Sequence, residues 1–206
     1  MTNLKEKAYE IIRNRIIICE YQPGSIVDEK AISTELQMSR TPVREALNKL
    51  AEEGLLNIMP RRAIVVSQIS IKDIMDLYDI RIKLEPSNAR AAAIHADKKV
   101  MEDFKKKFSV VDGLSTIEYS FLDANLHLYI AQCTGNKMLL NIMDGLMAQT
   151  QRVRIISSNK ETRRKKGYSE HIDIINSIIA GDADQAEKAM RNHIAAAGED
   201  YLQLDV

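Results

Sequence analysis

The chain has 206 residues, 45% of them hydrophobic and 28% charged, a composition typical of a globular protein with one large or two modest domains. Its 29 basic and 29 acidic residues leave no net charge, which excludes a globally basic nucleic-acid-binding protein, so any DNA contact must come from a local cluster of cations. With only two widely spaced cysteines and no apolar run near the roughly 20 residues that span a bilayer, we expect a cytoplasmic protein without disulfides or a membrane partner.

Residues 1–68 predict a winged helix-turn-helix domain. Apolar side chains recur at helical spacing in three segments, and Pro23-Gly24 turns the chain between the first two. Two short β-prone segments follow, separated by a basic tip, and would pair as an antiparallel wing. The predicted helices cover residues 4–19, 29–36 and the segment from Ser39 to Gly54, and the predicted strands cover Leu55–Met59 and Ile64–Val66.

The third predicted helix carries the residues best suited to reading DNA, because the N-terminal residues of this helix contact base edges in the major groove. Arg40 and Arg44 lie four residues apart on one face, where a guanidinium can pair with guanine or grip a phosphate. The alternative is a solvated face in which Arg44 pairs with Glu45 or Asn48. Further predicted contacts are a lysine at the start of the preceding helix, two hydroxyl groups at the start of this one, and two arginines at the wing tip. The complete predicted set is Lys30, Ser39, Arg40, Thr41, Arg44, Arg61 and Arg62.

The nine residues that begin at Ser39 read Ser-Arg-Thr-Pro-Val-Arg-Glu-Ala-Leu and closely resemble the recognition-helix signature of the GntR family of transcriptional regulators. The match extends to Tyr21-x-Pro-Gly-Ser-x-Val and to Leu50-x-x-Glu-Gly-Leu-Leu, so that it covers residues 8–66. The resemblance implies that the basic residues of the predicted set and the wing contact DNA. The chain has Ala63 where the family's wing usually has glycine after its basic pair, and this departure affects the wing contacts most.

Residues 71–206 predict an antiparallel all-α bundle, which makes the whole chain mainly α. No segment in this half alternates with the period of a strand, and six segments show helical spacing. A basic run at residues 160–166 precedes Gly167, and we interpret it as a solvated loop without a function. The predicted helices cover residues 71–94, 98–110, 116–133, 136–157 (with an interruption), 169–180 and 182–203.

Three of the four histidines fall on or beside the apolar stripes of different predicted helices. Asp123 and His127 share one helix face, His171 begins the stripe of a later helix, and His193 lies on the stripe of the last one. Three neutral imidazoles and one carboxylate suit a divalent transition metal such as zinc. The alternative is that each histidine is a hydrogen-bonded core residue, and spacing alone does not decide between the two.

The same residues resemble the FCD effector domain, which follows the DNA-binding domain in FadR-type GntR regulators. The motifs are Asp-x-x-Leu-His from Asp123, Glu-His-x-x-Ile-Ile-x-x-Ile from Glu170, Met-x-x-His from Met190, and the segment from Asp76 to Pro86. Many members hold a metal with the matching aspartate and three histidines, and the metal orients a small carboxylate effector. The complete set implies the metal-binding branch, with one divalent metal per chain: zinc first, with nickel or manganese as alternatives.

Arg81 is predicted to bind the effector. It lies on the apolar stripe of the first helix of this half, so its charge would point into the bundle and need a partner. One candidate is Glu85, four residues later, and the other is an effector carboxylate that also binds the metal. Both can serve in turn, with Glu85 as the partner when the pocket is empty.

These features predict a transcriptional regulator and not an enzyme. A homodimer would place two recognition helices on the half-sites of operator DNA, and a small organic-acid effector would change the operator affinity. One alternative is a metal-responsive repressor in which the ion itself is the signal. A metal-dependent hydrolase is weaker, because the sequence offers no nucleophile motif and a hydrolase has no use for a DNA-reading half.

Overall fold

The fold is described from a computed structural model that covers residues 4–59, 63–110, 113–157 and 160–202. The chain forms two compact units, of which the first ends at Ile69 and the second begins at Ser70. Most of the described residues are helical, which confirms the predicted mainly α fold with a small winged sheet. None of the described helices is long and apolar enough to cross a membrane.

The part of the first unit that the structure describes contains three helices and a small antiparallel sheet. Its elements are α1 (Leu4–Ile17), β1 (Ile26–Val27), α2 (Glu29–Glu35), α3 (Arg40–Glu52), β2 (Leu56–Ile58) and β3 (Ile64–Val66). The strand order is β1-β3-β2, so β1 adds a third strand to the predicted two-stranded wing. Val65 of β3 lies opposite Ile26 on one side and opposite Asn57 on the other.

The position of α3 is fixed by an apolar face and by the way the helix begins. Val43, Ala46, Leu47 and Leu50 are spaced to face one side, and all four are fully buried in the core that α1, α2 and the sheet share. Ser39 is the N-cap residue of α3, but its hydroxyl makes no capping hydrogen bond. The first turn of α3 therefore keeps unsatisfied backbone N–H groups, which suit an external anion.

The second unit contains six helices among its described residues. They are α4 (Ile71–His95), α5 (Lys98–Phe108), α6 (Thr116–Gln132), α7 (Lys137–Ile156), α8 (Lys160–Ala180) and α9 (Ala183–Leu202). Capping boxes start two of them, with Ser70 and Asp73 at α4 and Ser115 and Glu118 at α6. Helix α4 packs mainly along α9, and α6 packs along α7.

Two predictions about this unit are wrong. The interruption expected within residues 136–157 is absent, because α7 runs without a break. The basic run at residues 160–166 is not a loop, because α8 begins at Lys160 and includes it. Partners elsewhere in the fold account for this difference: Arg163 is buried beside Glu170, and Arg164 donates to the carbonyl of Leu114 at 2.8 Å.

Candidate functional site

The predicted DNA-contacting residues form an exposed surface on the first unit. Lys30 lies in the first turn of α2, and the other described members lie at the N-terminal end of α3 or one turn into it. The side chains that are described are all exposed: Lys30, Ser39, Arg40, Thr41 and Arg44. The predicted contacts Arg61 and Arg62 lie outside the described residues.

Arg44 has a single bidentate partner on this surface. Its Nε and Nη2 atoms donate to Glu29 at 3.0 and 2.8 Å, so this partner is a residue of α2 and not Glu45 or Asn48, the partners considered in the alternative to DNA contact. The hydrogen bond from Arg44 lowers the pKa of the Glu29 carboxyl below its usual range, so the pair is ionised at neutral pH. Because Arg44 remains exposed, it can exchange Glu29 for a phosphate or a base edge.

The predicted metal ligands come together inside the second unit. Helix α6 supplies Asp123 and His127, α8 supplies His171, and α9 supplies His193. Their ligand atoms all lie within 4.8 Å of one another, and no side chain of the four residues is more than 2% exposed. Burial of four polar side chains in one place requires that their polar atoms be satisfied, by one another or by an ion.

Each histidine of this cluster uses Nδ1 for a contact with a neighbouring side chain. His127 Nδ1 contacts Glu85, His193 Nδ1 lies 2.7 Å from Glu170, and His171 Nδ1 lies 3.4 Å from the Tyr119 hydroxyl. A carboxylate partner places the proton on Nδ1, which leaves the Nε2 lone pair for a metal. Carboxylate–histidine pairs of this kind orient metal-binding imidazoles in proteins.

The protonation states favour a cation at the centre of the cluster. Burial lowers the pKa of His171 to about 4 and that of His193 well below its usual range, so both rings are neutral at pH 7. Burial alone would raise the pKa of Asp123, but the nearby Arg154 outweighs burial and holds this pKa well below its ordinary value. The cluster therefore presents the neutral imidazoles of His171 and His193 and an ionised carboxylate, which are ligands that a divalent transition metal requires.

Unsatisfied atoms within the cluster show that these residues fit an ion. Asp123 Oδ2 and His127 Nε2 lie 4.0 Å apart, and both are buried without a hydrogen-bond partner among the described residues. His171 Nε2 lies 3.0 Å from Asp123 Oδ1 without forming a well-aligned hydrogen bond. Each buried polar atom left in this state costs about 1–3 kcal/mol, and a metal bound between them would remove that cost.

Arg81 lies beside the cluster but outside the cavity that adjoins it. It is 1% exposed and pairs with Glu85, which in turn contacts His127. The cavity has a volume of about 210 Å³ and does not include Arg81 in its wall. Its lining comprises three ligands of the cluster, three arginines and four further residues: Asp123, His171, His193, Arg154, Arg163, Arg164, Thr116, Tyr119, Gly167 and Tyr201.

Sequence reasoning missed five charged residues around the cluster. The sequence indicates Glu85 only as a partner for Arg81, and Glu170 only as the start of a family motif. Glu170 reaches across to His193 on α9, a contact that sequence spacing does not predict. The three arginines of the cavity wall had no distinguishing spacing, and two of them lay in the basic run that was interpreted as a loop.

Gly167 allows α8 to pass close to the hydroxyl group of Tyr119. A Cβ atom at this position would lie 2.8 Å from the Tyr119 hydroxyl oxygen, which is too close for a real contact. Tyr119 is buried and contacts His171, so it has little room to move away. Glycine at this point in a helix costs about 1 kcal/mol relative to alanine, but it brings α8 close enough to place His171 in the cluster.

Comparison with known proteins matches both units to families. The first unit matches the family "Bacterial regulatory proteins, gntR family" over residues 4–66, and the second matches the FCD domain over residues 76–196. The HTH-type transcriptional repressor RspR of Escherichia coli is 28% identical over 98% of this chain and 90% of its own. A probable D-xylose utilization operon transcriptional repressor from Paenarthrobacter nicotinovorans is 28% identical over 84% of this chain and 77% of its own.

The fold has a close counterpart among solved structures. The Escherichia coli protein McbR/YncC superimposes with a TM-score of 0.83, covering 98% of this chain and 99% of its own, at 17% sequence identity. At this level of identity the likeness supports the fold and does not identify a ligand.

Proposed function

The chain belongs to the gntR family of bacterial regulatory proteins and carries an FCD domain, and on that basis we propose that its operator affinity responds to a small carboxylate effector bound at a metal site. It is a DNA-binding transcriptional regulator and not an enzyme, as the names of its relatives indicate. The effector, the metal and the dimer are parts of the proposal.

The observation that carries the proposal is the buried cluster of four residues whose ligand atoms lie within 4.8 Å of one another. Three of these residues, Asp123, His127 and His171, have buried ligand-type atoms with no hydrogen-bond partner among the described residues. Asp123, His127, His171 and His193 would hold one divalent metal, with zinc first and nickel or manganese as alternatives. The bound ion would supply a Lewis-acidic position for a carboxylate oxygen. Glu85 and Glu170 fix the orientation of two of the imidazoles.

The contact with the effector falls most directly to Arg154. This arginine lines the cavity, lies 2.8 Å from Asp123 and carries a buried Nη1 atom without a partner among the described residues. The sequence predicts Arg81 for this role, but Arg81 pairs with Glu85 and is not among the residues that line the cavity. We therefore propose a direct contact for Arg154 and an indirect one for Arg81, which neutralises the carboxylate that orients His127.

The exposed surface of the first unit would bind operator DNA. Arg40 and Arg44 are placed to reach base edges, and Lys30, Ser39 and Thr41 are placed to bind phosphates. The predicted contacts at the wing tip, Arg61 and Arg62, belong to the same proposal. A homodimer would present two such surfaces to a pseudo-palindromic operator, and the effector would change the affinity through a coupling of about 1–3 kcal/mol.

The test is the metal content of the purified protein, measured by elemental analysis for the wild type and two histidine variants. We expect about one equivalent of metal per chain in the wild type and a loss of that metal in His171→Ala. The matched control is His95→Ala, which removes the exposed fourth histidine at the end of α4 and should keep the metal. Full occupancy in His171→Ala, or no metal in any variant after addition of divalent ions, contradicts the proposed site.

A further inference from the structure

The cavity beside the proposed metal site carries more positive than negative charge. Its wall contains three arginines but only one carboxylate, that of Asp123. A divalent metal held by Asp123 would add two further positive charges at the same place. The ligand that fills this cavity must therefore be anionic, and the positions of the arginines indicate how many anionic groups it carries.

Two of the three arginines already have carboxylate partners. Arg163 donates to Glu170 at 2.9 Å and lies 3.6 Å from Asp200, so its charge is neutralised within the protein. Arg154 forms an ion pair with Asp123 at 2.8 Å. The buried Nη1 atom of Arg154 has no hydrogen-bond partner among the described residues, so it can still donate to a ligand. Arg163 keeps its carboxylate partners within the protein.

Arg164 differs from both. Within the described residues it has no carboxylate partner, and its Nη1 atom donates only to the neutral carbonyl of Leu114, at 2.8 Å. Its Nε atom is buried and has no hydrogen-bond partner in the same part of the chain. The carbonyl holds the guanidinium in place, so an uncompensated charge and an unused donor belong to the wall of the cavity.

We propose that the effector is a small dianion: one anionic group binds at the metal and Arg154, and a second binds at Arg164. This inference rests on the proposed metal site and adds the chemical class of the effector. The cavity volume of about 210 Å³ equals the volume that about seven water molecules occupy in the liquid. A dicarboxylic acid of about four to six carbons suits a cavity of this size. A phosphate or phosphonate group in place of the second carboxylate would have the same chemistry.

The selectivity follows from what a monoanion leaves unpaired. A monocarboxylate that fills the cavity would displace water from Arg164 without compensating its charge, and a buried donor without a partner is costly. Sites built to bind a polar group reject analogues that lack that group more strongly than apolar pockets reject a missing methylene. Arg164 is thus a specificity-determining residue, and Arg154 and the metal serve monoanions and dianions alike.

The test compares two matched series of ligands on the metal-loaded full-length protein by isothermal titration calorimetry. Succinate, glutarate and adipate are the dianions, and butyrate, pentanoate and hexanoate are the monoanions of equal chain length. The phosphonate 3-phosphonopropionate distinguishes a phosphorus oxyacid from a second carboxylate. Each series is measured with wild type, Arg164→Gln, and Lys165→Gln, which changes the exposed neighbouring residue as a control.

We expect at least one dianion to bind about tenfold or more tightly than its matched monoanion. Arg164→Gln should remove this advantage without changing the metal content, because dianions lose their second partner and monoanions no longer leave the Arg164 charge unpaired. Lys165→Gln should retain the advantage. Equal affinity for the two series, or an advantage that survives Arg164→Gln, overturns the proposal while leaving the metal site intact. Absence of metal, or of any carboxylate binding to metal-loaded protein, overturns the proposed function as well, so the two failures are distinguishable.

Discussion

Each unit contains an arginine–glutamate pair beside its functional surface, and the two pairs differ in their surroundings. In the first unit Arg44 pairs with Glu29 on the surface, where the arginine side chain is 61% exposed. In the second unit Arg81 pairs with Glu85 in the interior, where neither side chain is more than 2% exposed. Because water competes for the first pair and not for the second, Arg44 can change partners and Arg81 is held in place.

The buried pair depends on a third member, and this makes it part of the site. Burial alone would raise the pKa of Glu85, but Arg81 and His127 together lower it to about 2. Arg163, Glu170 and His193 repeat the same order of arginine, carboxylate and histidine at the other side of the cluster. In both cases an arginine pairs with the carboxylate that contacts a histidine.

Removing one member of the buried pair should give the largest effect. Glu85→Gln leaves the Arg81 charge buried without a counterion, and we expect the free energy of unfolding of the metal-free protein to fall by about 3–5 kcal/mol. Glu29→Gln at the exposed pair is the matched control and should leave the free energy of unfolding unchanged within error. Urea titration of chelator-treated protein, followed by circular dichroism, measures both.

A double variant distinguishes the effect of an unpaired buried charge on stability from the effect of Glu85 on metal binding. Arg81→Met with Glu85→Leu removes both buried charges, and it should recover most of the stability that Glu85→Gln loses. It should still bind metal more weakly than wild type, by about 10- to 100-fold, because His127 no longer has a carboxylate partner. A double variant with wild-type metal affinity would show that Glu85 does not orient His127.

The positions of the four proposed ligands follow from sequence, but their surroundings do not. Asp123 and His127 are four residues apart on one helix, so local spacing is enough to place them on one face. The contacts that complete the cluster join Glu85 to His127 and Arg154 to Asp123, across different helices. Helical periodicity carries no information about such pairs, because they depend on how the helices pack.

The basic run at the start of α8 was predicted wrongly for the same reason: its structure depends on contacts between helices. Seven residues with five positive charges and one negative charge are typical of a solvated segment, and on that ground the run was predicted to be a loop. Glu170 lies seven residues after Arg163, and Asp200 comes from α9, so the burial of Arg163 depends on partners outside the run. The described residues predicted to contact DNA are exposed, and their exposure follows from the sequence pattern because it needs no such partners.

Metal binding should stabilise the second unit and leave the stability of the first unit unchanged. A ligand that binds only the folded state stabilises it by about 2.7 kcal/mol at a free concentration one hundred times its dissociation constant. We therefore expect chelation to lower the thermal unfolding temperature of wild type, and His171→Ala to be insensitive to chelation. Hydrogen exchange should show that chelation reduces the protection of backbone amides in α6, α8 and α9 and leaves the protection of α1 to α3 unchanged. Equal loss of protection in both units would contradict a site confined to the second unit.

Arg44→Ala tests the exposed pair by function. Operator-like duplexes would first be selected from random DNA with the wild-type protein, and binding would then be measured by fluorescence anisotropy at fixed salt. We expect the variant to lose about 10- to 100-fold in affinity for the selected duplex, with unchanged metal content and stability, because a base-contacting arginine is removed from a solvated surface. Arg191→Ala, which removes an exposed arginine of α9, is the control. Unchanged affinity in Arg44→Ala would exclude this arginine from the reading surface.

Lys30→Ala should have the smallest effect and the most distinctive signature. The backbone N–H of Lys30 donates to the capping residue Asp28 at 2.7 Å, so α2 keeps its N-terminal cap when only the side chain is removed. A lysine that binds a phosphate contributes equally to all sequences, and we expect similar losses for selected and random duplexes. The slope of log affinity against log salt concentration should fall in magnitude by about 0.9, which corresponds to one released counterion. Lys98→Ala, at an exposed lysine that begins α5, should leave that slope unchanged. A loss confined to the selected duplex would instead assign Lys30 to base recognition, and the surface would then read DNA from α2 as well as α3.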